Sequence, residues 1–192
     1  MSYPTVYLIG LHGTGKSTIA RRLNLNHGWS HLSVGDLSRV IRSGRIPREI
    51  SMRLVTELAS HCAGSKLGHR LVETLLAEVS AHSLFEPVIC DGFPAHTDHL
   101  ALLPAGSVLV HTYCPEDLRV ARLEHRGNQT RRKWTVGMQS ERDQMIPKLV
   151  EMAKQMNSDG VLRFCQIDNS INGLDALKAA VAQLMEQTTV AF

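Results

Sequence analysis

Aromatic residues are scarce, 5% of the 192-residue chain. That leaves little material for the stacking platforms on which single-stranded nucleic acids are held. Cysteine is scarce too. Cys62, Cys90, Cys114 and Cys165 are the full set, and no two stand at C-x-x-C spacing, so neither a zinc knuckle nor a dithiol redox motif is suggested. Three of them sit in or beside apolar runs, and the expectation is buried free thiols in a reducing compartment. No segment approaches the roughly 20 apolar residues needed to span a bilayer. Met1 to Thr5 carries no basic stretch leading into a long apolar run. Both absences point to a cytoplasmic protein without membrane contact. An excess of one charge is also lacking: 21 Lys and Arg stand against 18 Asp and Glu, a formal net charge of +3. That is compatible with a small anionic substrate and too mild to argue for nucleic acid. The chain has no internal repeat, low-complexity tract or linker.

What is present is globular composition, 43% hydrophobic and 20% charged, at a length that suits one domain spanning residues 1–192. Short apolar runs alternate with longer amphipathic stretches. Strands are expected at Val6–Ile9, His31–Val34, Pro87–Cys90, Ser107–Tyr113 and Phe164–Ile167. Helices are expected at Thr14–Asn26, Asp36–Ile41, Arg48–Cys62, His69–His82, Pro115–His125, Ser140–Gln155 and Gly173–Gln187. His69–Val79 shows the pattern well: Leu71, Val72, Leu75, Leu76 and Val79 form one helical stripe. Pro147 falls inside the sixth helix, where it would kink or restart it, and Ser140 with Asp143 resembles a capping box. The alternation implies an α/β fold, a parallel sheet between helical layers, with ligands at the carboxyl ends of the strands. Ser43–Pro47 and Gly127–Gln139 read as loops.

Gly10-Leu11-His12-Gly13-Thr14-Gly15-Lys16-Ser17-Thr18 fits G-x-x-x-x-G-K-[ST], between an apolar strand and a helix, the context that motif requires. Glycines at positions 10, 13 and 15 allow backbone angles that turn N–H groups inward. The helix start adds partial positive charge. Thr14, Gly15, Ser17 and Thr18 complete an expected phosphate cradle for ATP, Lys16 would reach the β- and γ-phosphates, and Ser17 would ligate Mg²⁺. His12 reads as a spacer pointing outward, with no chemistry assigned.

Other segments carry a resemblance. Leu32-Ser33-Val34-Gly35-Asp36-Leu37-Ser38-Arg39 is similar to the monophosphate-binding segment of adenylate kinases. Cys90-Asp91-Gly92-Phe93-Pro94 resembles that family's D-G-F-P turn. Arg122-Leu123-Glu124-His125-Arg126-Gly127 resembles the start of its lid in the short form, with Arg131 (or Arg132) and Arg142 at the spacing of two later arginines. Over nearly its whole length the chain resembles the adenylate kinase and nucleoside monophosphate kinase group of P-loop proteins. The resemblance implies a three-layer α/β/α kinase fold on a five-stranded parallel sheet, a helical acceptor-binding insertion at about 35–67 and a short lid at about 126–139. It implies acceptor contacts from Gly35, Arg39, Gly92 and Phe93.

Physical chemistry supports the arginines independently. Transfer between two polyanions needs cations that bridge both and stabilise charge on the moving group. Arg supplies a planar fork that Lys lacks. With the resemblance placing the arginines at the cleft, Lys16, Arg122, Arg126 and Arg142 are the expected catalytic cations, and Asp91, ending an apolar strand across from the loop, is the expected second metal-side group with Ser17. Two departures stand out. Where the family continues its turn with a phosphate-clamping Arg, this chain has Ala95, and where a Thr contacts adenine it has Val34. His96 and His99 form an H-x-x-H pair with no third ligand nearby, read as structural or surface residues. The expected activity is ATP-dependent transfer to a small anionic acceptor, a nucleoside monophosphate first of all, by a monomer or small homo-oligomer. A kinase for another small molecule, or an ATP-binding switch with slow hydrolysis, is the alternative.

Overall fold

The computed structural model describes residues 2–62, 65–130, 141–171 and 173–189. Five strands form one sheet: β1 (Thr5–Ile9), β2 (Ser30–Ser33), β3 (Val88–Asp91), β4 (Val108–Tyr113) and β5 (Arg163–Asp168). Their order is β2-β3-β1-β4-β5 and all pairings are parallel. Each strand end lies within one residue of its expected place. Parallel strands covered on both faces must be apolar on both, and β1 is. Tyr7 and Ile9 enter one core cluster, Val6 and Leu8 the other, as the alternation of side chains along a strand requires.

Among the described residues seven α-helices surround the sheet: α1 (Lys16–His27), α2 (Val34–Arg42), α3 (Met52–Ser60), α4 (His69–His82), α5 (Glu116–Thr130), α6 (Glu141–Ser158) and α7 (Leu174–Thr189). Ile19, Ala20 and Leu23 of α1 pack with Ala180, Val181 and Leu184 of α7 on one face. Leu54 and Leu58 of α3, Leu71 and Leu75 of α4 and Ile146 and Leu149 of α6 pack on the other. The result is the expected three-layer α/β arrangement.

The differences from expectation have local causes. The third helix begins at Met52, not Arg48, because the Ser51 hydroxyl accepts the Leu54 N–H and caps it there. Helix α5 continues to Thr130, through Gly127, so the first residues of the expected lid are helical; one glycine costs only about 1 kcal/mol in a helix. The rest of that lid, residues 131–139, with Arg131, Arg132 and Trp134, lies outside the described residues. Pro147 sits inside a continuous α6 rather than dividing it. A short 3-10 helix, Thr97–Leu102, was not expected; His96 starts it by accepting the Asp98 N–H.

Strand order places the site. The chain leaves β1 toward β2 on one side and leaves β3 toward β4 on the other. The carboxyl ends of the adjacent strands β1 and β3 therefore flank a topological switch point, where ligands of open parallel sheets bind. Residues 10–15 follow β1, and Asp91 and Gly92 close β3.

Candidate active site

A cleft of about 630 Å³ opens at that switch point. Its floor is the phosphate loop. Gly10, Gly13 and Gly15 have φ of 145°, 88° and 92°, all in the region that favours glycine. At Gly10 a side chain would collide with the Thr112 carbonyl, and at Gly15 with the Asn169 amide. Gly15 caps α1 without any side-chain hydrogen bond, so the positive end of the helix faces the loop unscreened by a capping carboxylate or hydroxyl. Lys16 is almost buried and its Nζ donates to the Gly10 and Leu11 carbonyls, 2.7 Å each. Thr14 differs from the other loop residues: it is buried and its hydroxyl donates to the Leu11 carbonyl, so it shapes the loop from beneath. Gly10, Gly13, Gly15, Ser17 and Thr18 line the cleft itself.

Across the floor, the Ser17 hydroxyl donates to Asp91 Oδ2. The two residues expected on the metal side are thus in contact, 74 positions apart in sequence. An adjacent hydroxyl and carboxylate make a hard oxygen pair of the kind Mg²⁺ takes.

The walls are cationic. Arg122 and Arg126 of α5 and Arg39 of α2 line the cleft, as does Arg21 of α1, which the sequence reading missed. With Lys16 that makes five cations on described lining residues, against the single carboxylate of Asp91. Arg122 donates to the Asn169 carbonyl at 3.0 Å. Arg39 is ion-paired with Asp36 one turn away and lies over Gly35, where a Cβ would come to 3.3 Å of its Nη1. The side chain of Arg142 lies outside the described residues.

Gly35 and Gly92 both line the cleft. Phe93 does not meet the expectation of an acceptor contact: it is fully buried, edge-on to Tyr7 with centroids 5.8 Å apart and stacked on His99 at 5.1 Å. Its apolar ring is worth more to the core under the turn than to a polar cleft. His99 is buried as well, and its Nδ1 accepts the Ala95 N–H at 3.2 Å. Burial, aided by His96 and Lys66, holds its pKa down at about 4, so it is a neutral structural group at neutral pH.

Asn169, just past β5, ties the site together. Its side-chain amide donates to the Thr14 carbonyl at 2.8 Å and its N–H donates to the Tyr113 carbonyl at 2.9 Å. No motif marks it; a lone Asn after a strand reads as a turn residue.

The reading of His12 as an outward spacer is corrected. Its Nδ1 lies 2.8 and 2.9 Å from the two carboxylate oxygens of Asp143, and its N–H donates to Oδ1 at 3.2 Å. Arg119 donates to its carbonyl at 3.2 Å. The Asp143 carboxylate reaches across to the phosphate loop; Ser140, its expected capping-box partner, lies outside the described residues. Burial alone would raise the Asp143 carboxyl, but His12, with Lys16 behind it, holds it below the ordinary carboxylate value.

The profile of the AAA domain family (AAA_18) matches residues 6–146. The chain belongs to the AAA domain family. This AAA domain is 32% identical over 90 residues to an adenylate kinase of Novosphingobium aromaticivorans, covering 46% of this chain and 39% of the relative. It is 29% identical over 123 residues to UMP-CMP kinase 2 of Oryza sativa subsp. japonica, covering 61% and 48%. The chain thus spans less than half the length of these curated relatives. Both names bear out the resemblance to the adenylate kinase group. A gluconokinase from Sinorhizobium meliloti 1021 shares the fold with TM-score 0.56 at 13% identity, over 97% of this chain and 94% of that one. A shikimate kinase from Acinetobacter baumannii does so with TM-score 0.52 at 18%, over 98% and 94%. No described helix is long and apolar enough to cross a membrane.

Proposed function

We propose that this AAA domain is an ATP-dependent phosphotransferase acting on a small anionic acceptor. One observation carries the reading: among the described lining residues, a phosphate loop with Lys16 and four arginines share one cleft with a single carboxylate. Such a balance suits two anionic ligands meeting end to end, with the arginines stabilising charge as it moves between them.

In this reading Gly10, Gly13, Gly15, Lys16, Ser17 and Thr18 hold the triphosphate, and Thr14 holds the loop. Lys16, Arg122 and Arg126 bear on the transferred group, with Arg142 as a further candidate. Gly35, Arg39 and Gly92 border the acceptor. Leu123, Ile171 and Leu177 add apolar surface for the nucleobase end. Ser17 and Asp91 would hold Mg²⁺, which when bound neutralises charge on the phosphates. No protein nucleophile is needed, because positioning and electrostatics supply most of this catalysis. The helices at about 35–67 and the segment at about 126–139 act as acceptor-binding insertion and short lid of a single domain, in a cytoplasmic monomer or small homo-oligomer that binds neither nucleic acid nor membrane.

A nucleoside monophosphate is the acceptor that the relatives' names support. The turn after β3 supports a second reading, a small alcohol, because it offers Ala95 where a monophosphate clamp would need a cationic fork. The test is coupled ADP release with Mg-ATP, across nucleoside monophosphates and phosphorylatable alcohols. Acceptor-stimulated ADP production is expected. Slow ATP hydrolysis indifferent to every acceptor would overturn the kinase reading in favour of a nucleotide switch.

A further inference from the structure

The His12 side chain occupies an unusual place. It stands inside the phosphate loop, two residues after Gly10, and lines the same cleft as Lys16, Arg39 and Asp91. The ring is 35% exposed there, while its partner Asp143 is 7% exposed. Three contacts to one carboxylate fix the residue: two from Nδ1 and one from the backbone N–H. Arg119 of α5 fixes the other side of the peptide. A neutral imidazole whose Nδ1–H donates to a carboxylate presents Nε2 as its acceptor nitrogen. A buried carboxylate behind it also stabilises the imidazolium that forms when Nε2 takes a proton. Among the described residues, Asp143 of α6 meets the ring, Arg119 of α5 meets the His12 carbonyl and pairs with Glu116, and Lys16 acts on the Asp143 carboxylate.

We propose that His12 is the general base for a hydroxyl acceptor and that Asp143 is its positioning residue. This rests on the phosphotransferase reading above and narrows it. In the step, the acceptor oxygen forms a bond to the γ-phosphorus of ATP and its O–H proton passes to Nε2 of His12. The bond from that phosphorus to the β,γ-bridging oxygen breaks, and its electron pair leaves on ADP. A monophosphate attacks through an oxygen that is already ionised at neutral pH and has no use for such a base. An alcohol must lose its proton, and a positioned imidazole is the group for it. The acceptor class is therefore a small alcohol carrying an anionic group, which Arg39 and Arg21 are placed to hold. The missing fork at Ala95 agrees with this.

The experiment uses the full chain, Mg-ATP and a panel of sugar acids, hydroxy acids, polyols and nucleosides beside the nucleoside monophosphates. The highest kcat/KM is expected with an anionic alcohol. With that substrate, His12→Gln should lower kcat by about 10²–10⁴-fold, the usual range for a general base. ATP affinity by calorimetric titration should stay within about threefold, since only transition-state stabilisation is lost. Asp143→Asn should lower kcat with the acceptor KM little changed, because the imidazole loses the carboxylate that orients it, and Asp143→Glu should recover part of the rate. A folded His12→Gln chain with near wild-type kcat overturns the proposal. If His12→Gln fails to bind ATP, the Asp143 variants decide, and an Asp143→Asn chain with near wild-type kcat overturns it. Turnover of monophosphates alone overturns this inference and leaves the kinase reading intact. No acceptor-stimulated ADP release at all overturns both.

Discussion

The two ends of the cleft are built differently. At the phosphate-loop end the groups are held by bonds to one another and to neighbouring elements. Lys16 is bonded to two loop carbonyls, Asn169 holds the Thr14 carbonyl, Ser17 meets Asp91, and His12 meets Asp143 and Arg119. Three glycines leave no room for side chains. At the end proposed for the acceptor, Arg39 is half-exposed and pairs with its own-helix neighbour Asp36. Ala95 stands where a clamp would be, and the aromatic of the turn is turned down into the core. A polyphosphate makes the same demands whatever its acceptor, so its cradle is pre-organised.

This asymmetry sets the order of the expected effects. The largest is Lys16→Ala. Removing a cation that meets charge as it shifts should lower kcat by roughly 10³-fold, with an unchanged circular-dichroism melt showing the fold intact. Near-normal turnover in a folded variant would mean that the loop end is not catalytic.

Gly10→Ala comes next and is read as stability. The new Cβ would meet the Thr112 carbonyl at a φ of 145°, and holding such a backbone against a side chain should cost about 1–3 kcal/mol. A urea unfolding midpoint reports it. If the midpoint is unmoved, the loop is less tightly seated on β4 than its contacts imply.

At the looser end, Arg39→Ala should raise KM for the acceptor about tenfold and leave kcat nearly unchanged, the signature of lost uniform binding. A fall in kcat instead, at constant KM, would move Arg39 from the acceptor to the transferred group.

The smallest effect is a pH dependence. His99 under the turn and His111 on β4 have folded-state pKa values near 4, below the ordinary 6.5. Burial comes first in both, then His96 and Lys66 for His99 and Lys16 and Lys154 for His111. The unfolded chain therefore binds more protons between those values. Stability should be at its full level above about pH 6.5 and decline as pH falls toward 4. Urea midpoints across that window measure it, and His99→Gln should flatten the slope. An unchanged slope would place the burden on His111 or elsewhere.

The sequence by itself determined the strands, the phosphate loop and the identity of most cleft cations. These are local or periodic signals: apolar runs of strand length, a glycine pattern between strand and helix, and a stripe along α4. A backbone must satisfy its own hydrogen bonds and bury its apolar face, so short-range pattern carries that much. Phe93 was misread because a motif names a neighbourhood, not the direction in which a ring points. Only the tertiary structure decided which distant residues meet. Asp143 reaches His12 from 131 positions away and Asn169 reaches Thr14 from 155, and neither pair leaves a periodic trace. Strand order put them together: with β1 at the centre of the sheet, the ends of β3 and β5 and the start of α6 converge on one loop. Chemistry that depends on convergence of separate elements has no local signature in the chain, since the partners are chosen by how the layers pack and not by their spacing.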